Sequence, residues 1–575
     1  MTVETALEML QNMGRDDSDA GALSESEESD SDRSWVKDRS NTSSSSERES
    51  AGQQRKKRRR LSSKNSDRNI AFRLDGPFDG VEPATADVCA GGGCGNGQDG
   101  TAWTVLPLSD RPGRTQSQNV LTEAAGPTAH AQRNVEDALT AFVCLLDDGM
   151  LKHIRDCTVA EAHRHLGDSS WDLTVAELKA FIALLYVRGA QGAKHINVDS
   201  LWSEKWGLPF FTETMARNRF REVLKFLRFD KKETRRIHLQ DDEFALVSAT
   251  WNKFVANSIA CYKPGADITI DEQLFPTKAR CKFIQYMGNK PDKFGIKFWL
   301  AADVQSKYML NGAPYLGKEE SKGQLLGESV VLKLAEPFLG KGRNITTDHF
   351  FTSLKLATAL QAKKTSLVGT LGEAKRECPP SVKEPAELFS TKVLKCANAT
   401  LTIYQGKPRQ NVCILSSLHT SVGITDGPKA KPESVTYYNN TKHAVDVLDQ
   451  MAKAYSVKDG TRRWPVAVFY NILDLAGINA HVLYKECTSS RIPRRRFLLQ
   501  LAEELRAEFM EGKRAAAHGA GPQQQPPPHL AQKRRQCQVR RSCNQNKTQD
   551  TCNTCRKPVC GNCVKRRAVT CVDCV

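Results

Sequence analysis

The sequence predicts a multidomain protein with a mixed α/β unit at its centre, helical segments on both sides and a small cysteine-rich module at the C-terminus. Three observations carry this prediction. Apolar residues recur at helical spacing from about residue 135 to 260. From residue 266 they alternate with polar ones, as in strands. Finally, eight of the 18 cysteines fall within the last 39 residues of a 575-residue chain.

The charge of the chain is unevenly distributed. Its 83 basic and 66 acidic residues give a net charge of +17, whereas residues 1–50 hold 13 acidic and 5 basic side chains, a net of −8, so the remainder carries +25. Such an excess favours a polyanionic partner. With 39% apolar residues, the composition excludes a small disulfide scaffold, a collagen-like fibre and a polytopic membrane protein.

Residues 1–134 are predicted to be a disordered tail followed by a linker. Residues 15–50 are rich in serine and acids and cannot bury enough apolar surface to fold. The six cations Arg55, Lys56, Lys57, Arg58, Arg59 and Arg60 follow, and they indicate a nuclear import signal or a phosphate clamp, with a solvated tail as the alternative. Residues 76–134 are rich in Gly, Ala and Pro, as linkers are.

The N-terminus has no basic segment before an apolar core, so no signal peptide is predicted. Without a secretory route, the cysteines are expected to be reduced thiols or metal ligands.

A helical domain is predicted over residues 135–265. One face of a first helix carries Leu139, Phe142, Val143 and Leu146. Thr174 and Glu177 form a predicted capping box before a second helix. Residues 217–229 read RNRFREVLKFLRF, which is typical of an amphipathic helix with a basic outer face.

The period then changes, which predicts a mixed α/β unit over residues 266–371. In the first strand, Ala266–Phe275, Ile268, Ile270 and Glu272 share one face and Thr269, Asp271 and Gln273 the other. The other predicted elements are strands at 295–303 and 308–311, which form a hairpin, a helix at 329–339, a strand at 344–351, a helix beginning at 354 and a final strand beginning at 366.

Short β-like runs fill residues 375–436, and helices follow. Asn440 is the predicted N-cap of a helix at 441–455, and a further helix is predicted at 498–510. The segment 464–484 is long enough to span a membrane, but it contains Asn471, Asp474, Asn479 and His481. We therefore predict a buried helix and no membrane partner.

Four carboxylates lie where a metal-dependent site would need them. Asp271 is in the middle of a strand, Asp348 is near the end of another, and Asp446 and Asp449 share one helix face. Carboxylates brought together repel each other unless a divalent cation neutralises them, and oxygen ligands suit Mg²⁺ or Mn²⁺. Spacing alone also allows an edge strand and a solvated helix face.

Several motifs occur in order along the chain: DITIDEQL (267–274), NKPDKFGIKFW (289–299), YMLNGAPYLGK (308–318), GRNITTDHFFTS (342–353), YYNNTKHAVDVLDQM (437–451) and RRWPVAVFYNIL (462–473). In these motifs the sequence resembles the piggyBac-type DNA transposases, from about residue 135 to the C-terminus.

The resemblance implies an α/β ribonuclease H-like (retroviral integrase-like) catalytic core with a β-rich insertion, flanked by a helical dimerisation and DNA-binding domain. The implied division is helical domain 135–265, core 266–371, insertion 372–432, last core helix 433–456, second helical part 457–520, linker 521–534 and zinc-binding module 535–575.

The family's three catalytic aspartates carry over to Asp271, Asp348 and Asp446, with Asp449 as an auxiliary acid. The resemblance implies cut-and-paste transposition by a homodimer on double-stranded DNA, namely transposon terminal repeats and TTAA target sites. A hydrolytic nick, hairpin formation and strand transfer would follow one another with Mg²⁺ or Mn²⁺. Lys290, Lys293, Arg462 and Arg463 lie in the matching segments and are hypothesised to contact phosphates, with solvated surface as the alternative.

The C-terminal cysteines predict two structural Zn²⁺ sites. Cys537, Cys543, Cys552, Cys555, Cys560, Cys563, Cys571 and Cys574 supply eight thiolates, three of whose spacings are C-x2-C. A cross-brace would pair Cys537/Cys543 with Cys560/Cys563 and the other four with each other, whereas sequential pairing is the alternative. Residues 531–575 hold 11 basic and 2 acidic side chains, so DNA is a better partner than a ubiquitin-conjugating enzyme, the partner of a ring-type ligase.

The sequence thus favours a nuclear, metal-dependent DNA transposase. The alternative is a domesticated derivative that binds DNA or chromatin without catalysis.

Overall fold

The computed structural model describes residues 93–109, 116–288, 290–317, 326–408 and 410–519, together with part of 535–563. The predicted acidic tail, the basic cluster Arg55–Arg60, the linker 521–534 and the ligands Cys571 and Cys574 lie outside the described residues.

One sheet of 11 strands dominates the described part of the chain. Its order is β1-β2-β11-β12-β13-β10-β9-β5-β7-β6, with β8 also paired to β7. The strands are β1 Gly93–Cys94, β2 Trp103–Leu106, β5 Asp267–Pro276, β6 Ile284–Tyr286, β7 Phe294–Asp303, β8 Met309–Pro314, β9 Asn344–Thr347, β10 Ser366–Thr370, β11 Thr391–Cys396, β12 Ala399–Lys407 and β13 Gln410–Ser416. Two small pairs are separate: β3 Gly126–Pro127 with β4 Tyr262–Lys263, and β14 Arg535–Gln536 with β15 Lys547–Thr548.

Strand β5 lies in the interior of the sheet. It runs parallel to β9 on one side and antiparallel to β7 on the other. Its apolar residues Ile268 and Ile270 are fully buried, and so is Thr269 on the opposite face, because helices cover both faces of a sheet of this kind. The predicted hairpin is confirmed, since β7 and β8 pair across a turn in which Lys307 has a positive φ.

The predicted β-like runs after residue 375 are strands of this same sheet. β11, β12 and β13 form an antiparallel meander, and β13 pairs with β10, whose other neighbour is β9. The segment from 372 to 432 therefore extends the central sheet away from β5.

The prediction of a linker over residues 76–134 is wrong for part of the described residues. β2 adds to the sheet on β11, and Trp103 is 2% exposed with its indole N–H donating to the carbonyl of Glu377. The surrounding Gly- and Pro-rich composition concealed this strand, because four residues with one large apolar side chain give no measurable period.

Fifteen α-helices lie within the described residues. They are α1 Ala129–Asn134, α2 Ala138–Val143, α3 Asp148–Leu166, α4 Val175–Ala190, α5 Val198–Leu201, α6 Pro209–Thr214, α7 Arg217–Phe226, α8 Lys232–Asp241, α9 Ala245–Cys261, α10 Leu326–Ala335, α11 Leu354–Gln361, α12 Glu433–Thr441, α13 Ala444–Ala454, α14 Trp464–Thr488 and α15 Arg494–Gly519. Short 3-10 turns occupy Ser117–Asn119, Ala193–His195, Glu336–Phe338 and Pro380–Lys383.

Two helix starts differ from the prediction. Thr174 caps α4 by accepting the N–H of Glu177, but the Glu177 carboxylate binds Arg219 rather than completing a capping box. Asn440 lies inside α12, and the next helix starts only at Ala444, because the chain turns between the two helices. The predicted buried helix is confirmed: α14 is apolar and long enough to cross a membrane, yet it lies in the protein core.

Candidate active site

Asp271 and Asp348 lie at the same edge of the sheet. In the parallel pair β5 and β9, Ile270 is opposite Thr347, so the two aspartates are the next residues in register. β9 ends at Thr347, and this leaves an open crevice beside the remainder of β5. The carboxyl ends of parallel strands are where open α/β sheets form their binding sites.

A third carboxylate, from Glu272, joins these two. Oxygen atoms of Asp271, Glu272 and Asp348 all lie within 4.8 Å of one another. The Glu272 backbone N–H donates to Asp271 Oδ1 at 2.8 Å. Sequence alternation had placed Glu272 on the opposite face of β5 from Asp271, and no periodicity signal pointed to it. The end of β9 opens the crevice to side chains from both faces.

The carboxylates of this site resist ionisation together. Burial raises the pKa of Asp271 to about 8, and the charge of Glu272 adds to the effect. Burial also raises the pKa of Asp348, again with a contribution from Glu272. Acids in this state gain from a divalent cation, which would replace the missing solvation and offset the mutual repulsion.

Asp446 lines the same crevice from the helical side. Thr441, at the end of α12, accepts hydrogen bonds from Thr269 on β5 and Thr346 on β9. These bonds fix the start of α13 above the sheet, and Asp446 lies in its first turn. A cavity of about 170 Å³ is lined by Asp271, Asp348 and Asp446 among ten residues.

The carboxylate of Asp446 is not part of the close group of acids. Its Oδ1 lies 3.5 Å from the ammonium of Lys290, and its side chain is 47% exposed. Lys290 also lies 4.0 Å from Glu272. Burial acts to lower the pKa of Lys290, but the charges of Asp446 and Glu272 outweigh burial and raise it. Lys290, hypothesised from the sequence to contact phosphate, thus reaches into the acidic cluster.

Asp449 has a different set of neighbours. It lies 2.9 Å from the ammonium of Lys453 and accepts a hydrogen bond from Gln273, which in turn accepts one from Asn471 on α14. Asp449 does not line the cavity. These contacts tie α13 to β5 and α14, so the geometry gives Asp449 a role in positioning Asp446 along α13.

A group of aromatic and basic side chains lies beside the crevice. The sequence did not indicate this group. Trp299 on β7 stacks on Phe350 with ring centroids 5.5 Å apart and an angle of 17°, and Lys297 Nζ lies 3.8 Å from the Trp299 ring centroid. Burial lowers the pKa of Lys297, while the carboxylates of Glu272 and Asp271 oppose that shift. Phe350 is 44% exposed, so its ring is accessible beside Asp348.

The other predicted phosphate contacts divide into two groups. Lys293 and Arg462 are exposed. Arg463 is instead occupied inside the protein, because its guanidinium donates to the carbonyls of Leu224, Lys225 and Leu227 at the end of α7. Burial lowers the pKa of Arg463 to about 10. The phosphate role proposed for Arg463 is therefore contradicted: this side chain closes a helix C-terminus whose carbonyls have no helical partner.

Four of the six described cysteines of the C-terminal module form one buried group. The sulfur atoms of Cys537, Cys543, Cys560 and Cys563 lie within 4.8 Å of one another, and those of Cys543 and Cys563 are 3.4 Å apart. Tetrahedral zinc with bonds of about 2.3 Å separates its thiolates by about 3.8 Å, so the donor set and spacing fit zinc. These four are the set that the cross-brace arrangement requires, and sequential pairing would have grouped Cys537 and Cys543 with Cys552 and Cys555.

Comparison with known proteins gives three results. A family model described as Transposase IS4 matches residues 137–481. PiggyBac transposable element-derived protein 2 of Homo sapiens is 23% identical over 438 residues, which are 68% of this chain and 71% of that protein. The cryo-EM structure of a piggyBac transposase synaptic complex with hairpin DNA is 31% identical, has a TM-score of 0.65, and matches 79% of this chain and 100% of that chain.

Proposed function

The chain belongs to the family of piggyBac-type transposases, its sheet and helices fit a ribonuclease H-like transposase core, and from this premise we propose that it is an active cut-and-paste DNA transposase. In the proposed sequence of steps, a hydrolytic nick frees a 3′-OH at the transposon end. That hydroxyl attacks the opposite strand to form a hairpin, and after reopening it attacks TTAA target DNA.

The observation that carries the proposal is the convergence of Asp271 and Asp348 with Asp446 around one crevice at the carboxyl ends of β5 and β9. Their hard oxygen donors suit Mg²⁺ or Mn²⁺, and Asp271 and Asp348 are the residues that would hold it, with Asp446 added once its contact to Lys290 is released. When bound, such a cation supplies Lewis-acid activation of phosphoryl oxygens.

The chain's own residues supply orientation and charge balance. Lys290 keeps Asp446 paired before DNA arrives, and the phosphate backbone competes for the same ammonium. Phe350, which stacks on the buried Trp299, offers an exposed aromatic ring on which an unpaired base stacks, as expected where a duplex end is opened. Double-stranded DNA as partner is supported by the net charge of +17 and by the hairpin DNA in the matched piggyBac complex.

The same proposal includes a homodimer that pairs two transposon ends in the nucleus. The cysteine-rich module would hold two structural Zn²⁺ ions and recognise the terminal repeats. Its support is the group of four buried thiols and the basic character of residues 531–575.

A domesticated, catalytically silent DNA-binding protein is the second candidate. The human relative is named as transposable element-derived, which keeps this candidate in view. Against it stands the electrostatic cost of keeping Asp271 and Asp348 ionised side by side, a cost without benefit in a protein that only binds.

An excision assay tests the proposal directly. A donor plasmid carrying the flanking genomic ends is supplied with the wild type, Asp271→Asn, Asp348→Asn or the control Asp292→Asn, an exposed acid outside the cavity. We expect both site variants to lose at least about 100-fold in excision while binding the ends normally, and the control to stay within about twofold. Excision that survives Asp271→Asn would refute the catalytic assignment, and wild type that binds ends without excising them would favour the silent candidate.

A further inference from the structure

A second cluster of metal-ligating side chains lies outside both sites described above. Ligand atoms of His130, Cys144 and Cys261 are all within 4.8 Å of one another. His130 belongs to α1, Cys144 follows α2 and Cys261 ends α9. None of the three lines the catalytic cavity or belongs to the C-terminal module.

The fold holds His130 against the end of α9 through backbone pairing. The short strand β3, just before α1, pairs with the short strand β4, just after α9, and Pro127 lies opposite Tyr262. Thr128 then donates its N–H to the carbonyl of Cys261 at 2.9 Å and its hydroxyl to that of Ala260 at 2.8 Å. Since the same hydroxyl caps α1, the first turn of that helix, which carries His130, is fixed relative to Cys261.

Cys144 is fixed on the other side of Cys261. Asn257, one helical turn before Cys261, donates its side-chain amide to the carbonyl of Leu145 at 3.0 Å. The Cys261 thiol donates to the carbonyl of Cys144 at 3.6 Å, and the two sulfur atoms lie within 4.8 Å of each other. Cys261 is 1% exposed, so its sulfur can find partners only within this group.

A third thiol lies near these two. Cys487 lies near the end of α14 and is within electrostatic range of both Cys144 and Cys261. Its neighbour Glu486 accepts a hydrogen bond from the Tyr262 hydroxyl at 3.0 Å, which anchors this end of α14 on β4. Separate elements therefore bring two sulfurs and one imidazole together, and the end of α14 places the Cys487 thiol nearby.

From this juxtaposition we propose that His130, Cys144, Cys261 and Cys487 form a structural site for a soft divalent cation, zinc being the occupant. Thiolate and imidazole ligands in a three-to-one ratio are typical of closed tetrahedral zinc sites. Zinc bonds of about 2.0 to 2.3 Å require ligand atoms roughly 3.5 to 3.8 Å apart, so His130, Cys144 and Cys261, whose ligand atoms already lie within 4.8 Å, need only small side-chain rotations, and Cys487 would be the fourth ligand.

The site would join parts of the chain that are distant in sequence. α1 and α2 lie before β5 in the chain, and α14 follows the last strand of the central sheet. α9 leads through β4 directly into β5, the strand that carries Asp271. A cation held here would therefore stabilise the packing of helices from both ends of the chain on the base of the catalytic strand.

The experiment measures zinc bound per chain by mass spectrometry in the purified full-length protein after extensive dialysis against metal-free buffer. Cys144→Ser and His130→Ala are compared with the wild type. His130→Ala is a suitable variant because the His130 side chain is exposed and its removal leaves the packing of the core intact. The matched control is Cys413→Ser, a buried thiol that neighbours Cys378 and has no imidazole beside it.

We expect Cys144→Ser to contain one zinc fewer than the wild type and Cys413→Ser the same number. We expect His130→Ala to retain zinc at least about tenfold more weakly in competition with a chelator. Equal zinc content in the wild type, Cys144→Ser and His130→Ala would overturn the proposal. A Cys144–Cys261 disulfide found by non-reducing peptide mapping of the isolated wild type would overturn it as well.

Discussion

Replacing Asp271 by Asn should change the stability of the catalytic strand in opposite directions with and without a divalent cation. Without the cation, the Asp271 carboxyl is buried beside Glu272 and Asp348 and has to hold its proton, so its replacement removes the free-energy cost of that protonation. With the cation, the variant loses a ligand and the stabilisation that binding provides. A residue that merely packs would move both measurements in the same direction.

The magnitude follows from the pKa of Asp271, which burial raises from 3.8 to about 8. A raised carboxyl pKa in the folded protein means that the unfolded state releases its proton first. Stability is therefore lost as the pH rises from about 4, and the loss levels off above about 8. Over the roughly three pH units up to pH 7, unfolding releases nearly one proton. The free energy of unfolding is therefore lowered by at most about 4 kcal/mol at pH 7. The stabilisation from a cation at ten times its Kd is about 1.4 kcal/mol.

Amide hydrogen exchange of β5 and β9 is the suitable assay, because a chain of several domains does not unfold in one step. Exchange is measured at pH 7 and, in a second series, at pH 5, each with and without Mg²⁺. Exchange times at pH 5 are lengthened to correct for the slower intrinsic exchange of amides at that pH. The matched control is Asp267→Asn, an acid on the same strand whose pKa burial also raises but which hydrogen-bonds to Tyr437 outside the acidic cluster.

We expect Mg²⁺ to slow exchange in the wild type and in Asp267→Asn but not in Asp271→Asn. We also expect the metal-free Asp271→Asn protein to exchange more slowly than the metal-free wild type at pH 7, with a smaller difference at pH 5. The reasoning would be refuted if Asp271→Asn kept the full response to Mg²⁺, or if its metal-free β5 exchanged faster than that of the wild type.

Four further substitutions test other parts of the structure. Trp103→Ala should lower stability by about 3–5 kcal/mol in chemical denaturation and release β2, while the exposed Val105→Ala on the same strand should have little effect; equal effects would show that β2 is not packed. Arg463→Ala should cost about 1–3 kcal/mol because the Leu224 carbonyl loses its guanidinium partner, whereas Arg228 still donates to the carbonyls of Lys225 and Leu227, and a loss of DNA affinity at unchanged stability would contradict this. Lys290→Met should shift the pH profile of DNA cleavage to higher pH, because the acids lose a stabilising cation; an unmoved profile would exclude it from the site's charge balance. Cys560→Ser should abolish one zinc equivalent of the module and weaken end binding before the core unfolds, and unchanged binding in a gel-shift assay would argue against a recognition role.

Much of the candidate site was predictable from local sequence. The alternation around Asp271 predicted its strand and face, and the sequence also predicted Asp348 near the end of a second strand. Asp446 and Asp449 were predicted to share a helix face, and both do lie toward β5. Their contacts differ because Asp446 faces the open crevice, whereas Asp449 faces Gln273.

Other residues could not be assigned from the sequence. In the alternating pattern of β5, Glu272 is on the opposite face from Asp271. Its carboxylate lies close to that of Asp271 because β9 ends at Thr347, opposite Ile270, and leaves the next part of β5 uncovered. Arg463 looked like a phosphate contact in a basic dipeptide, yet the end of α7 lies against its guanidinium. Trp103 sits in a Gly-rich segment whose composition resembles a linker, and its partner strand lies almost 290 residues away, at Leu394.

The amino-acid sequence by itself determined the spacing of apolar residues along the helices and strands, the residue types available for metal binding and the family to which the chain belongs. These properties depend on neighbours within a few positions, where side-chain spacing and backbone preference act directly. Only the tertiary structure decided which carboxylates face each other, which cations are already neutralised and which metal-ligating side chains from separate elements meet. Such pairings depend on distances between residues more than 100 positions apart, and these distances are set by how the sheet and its helices pack.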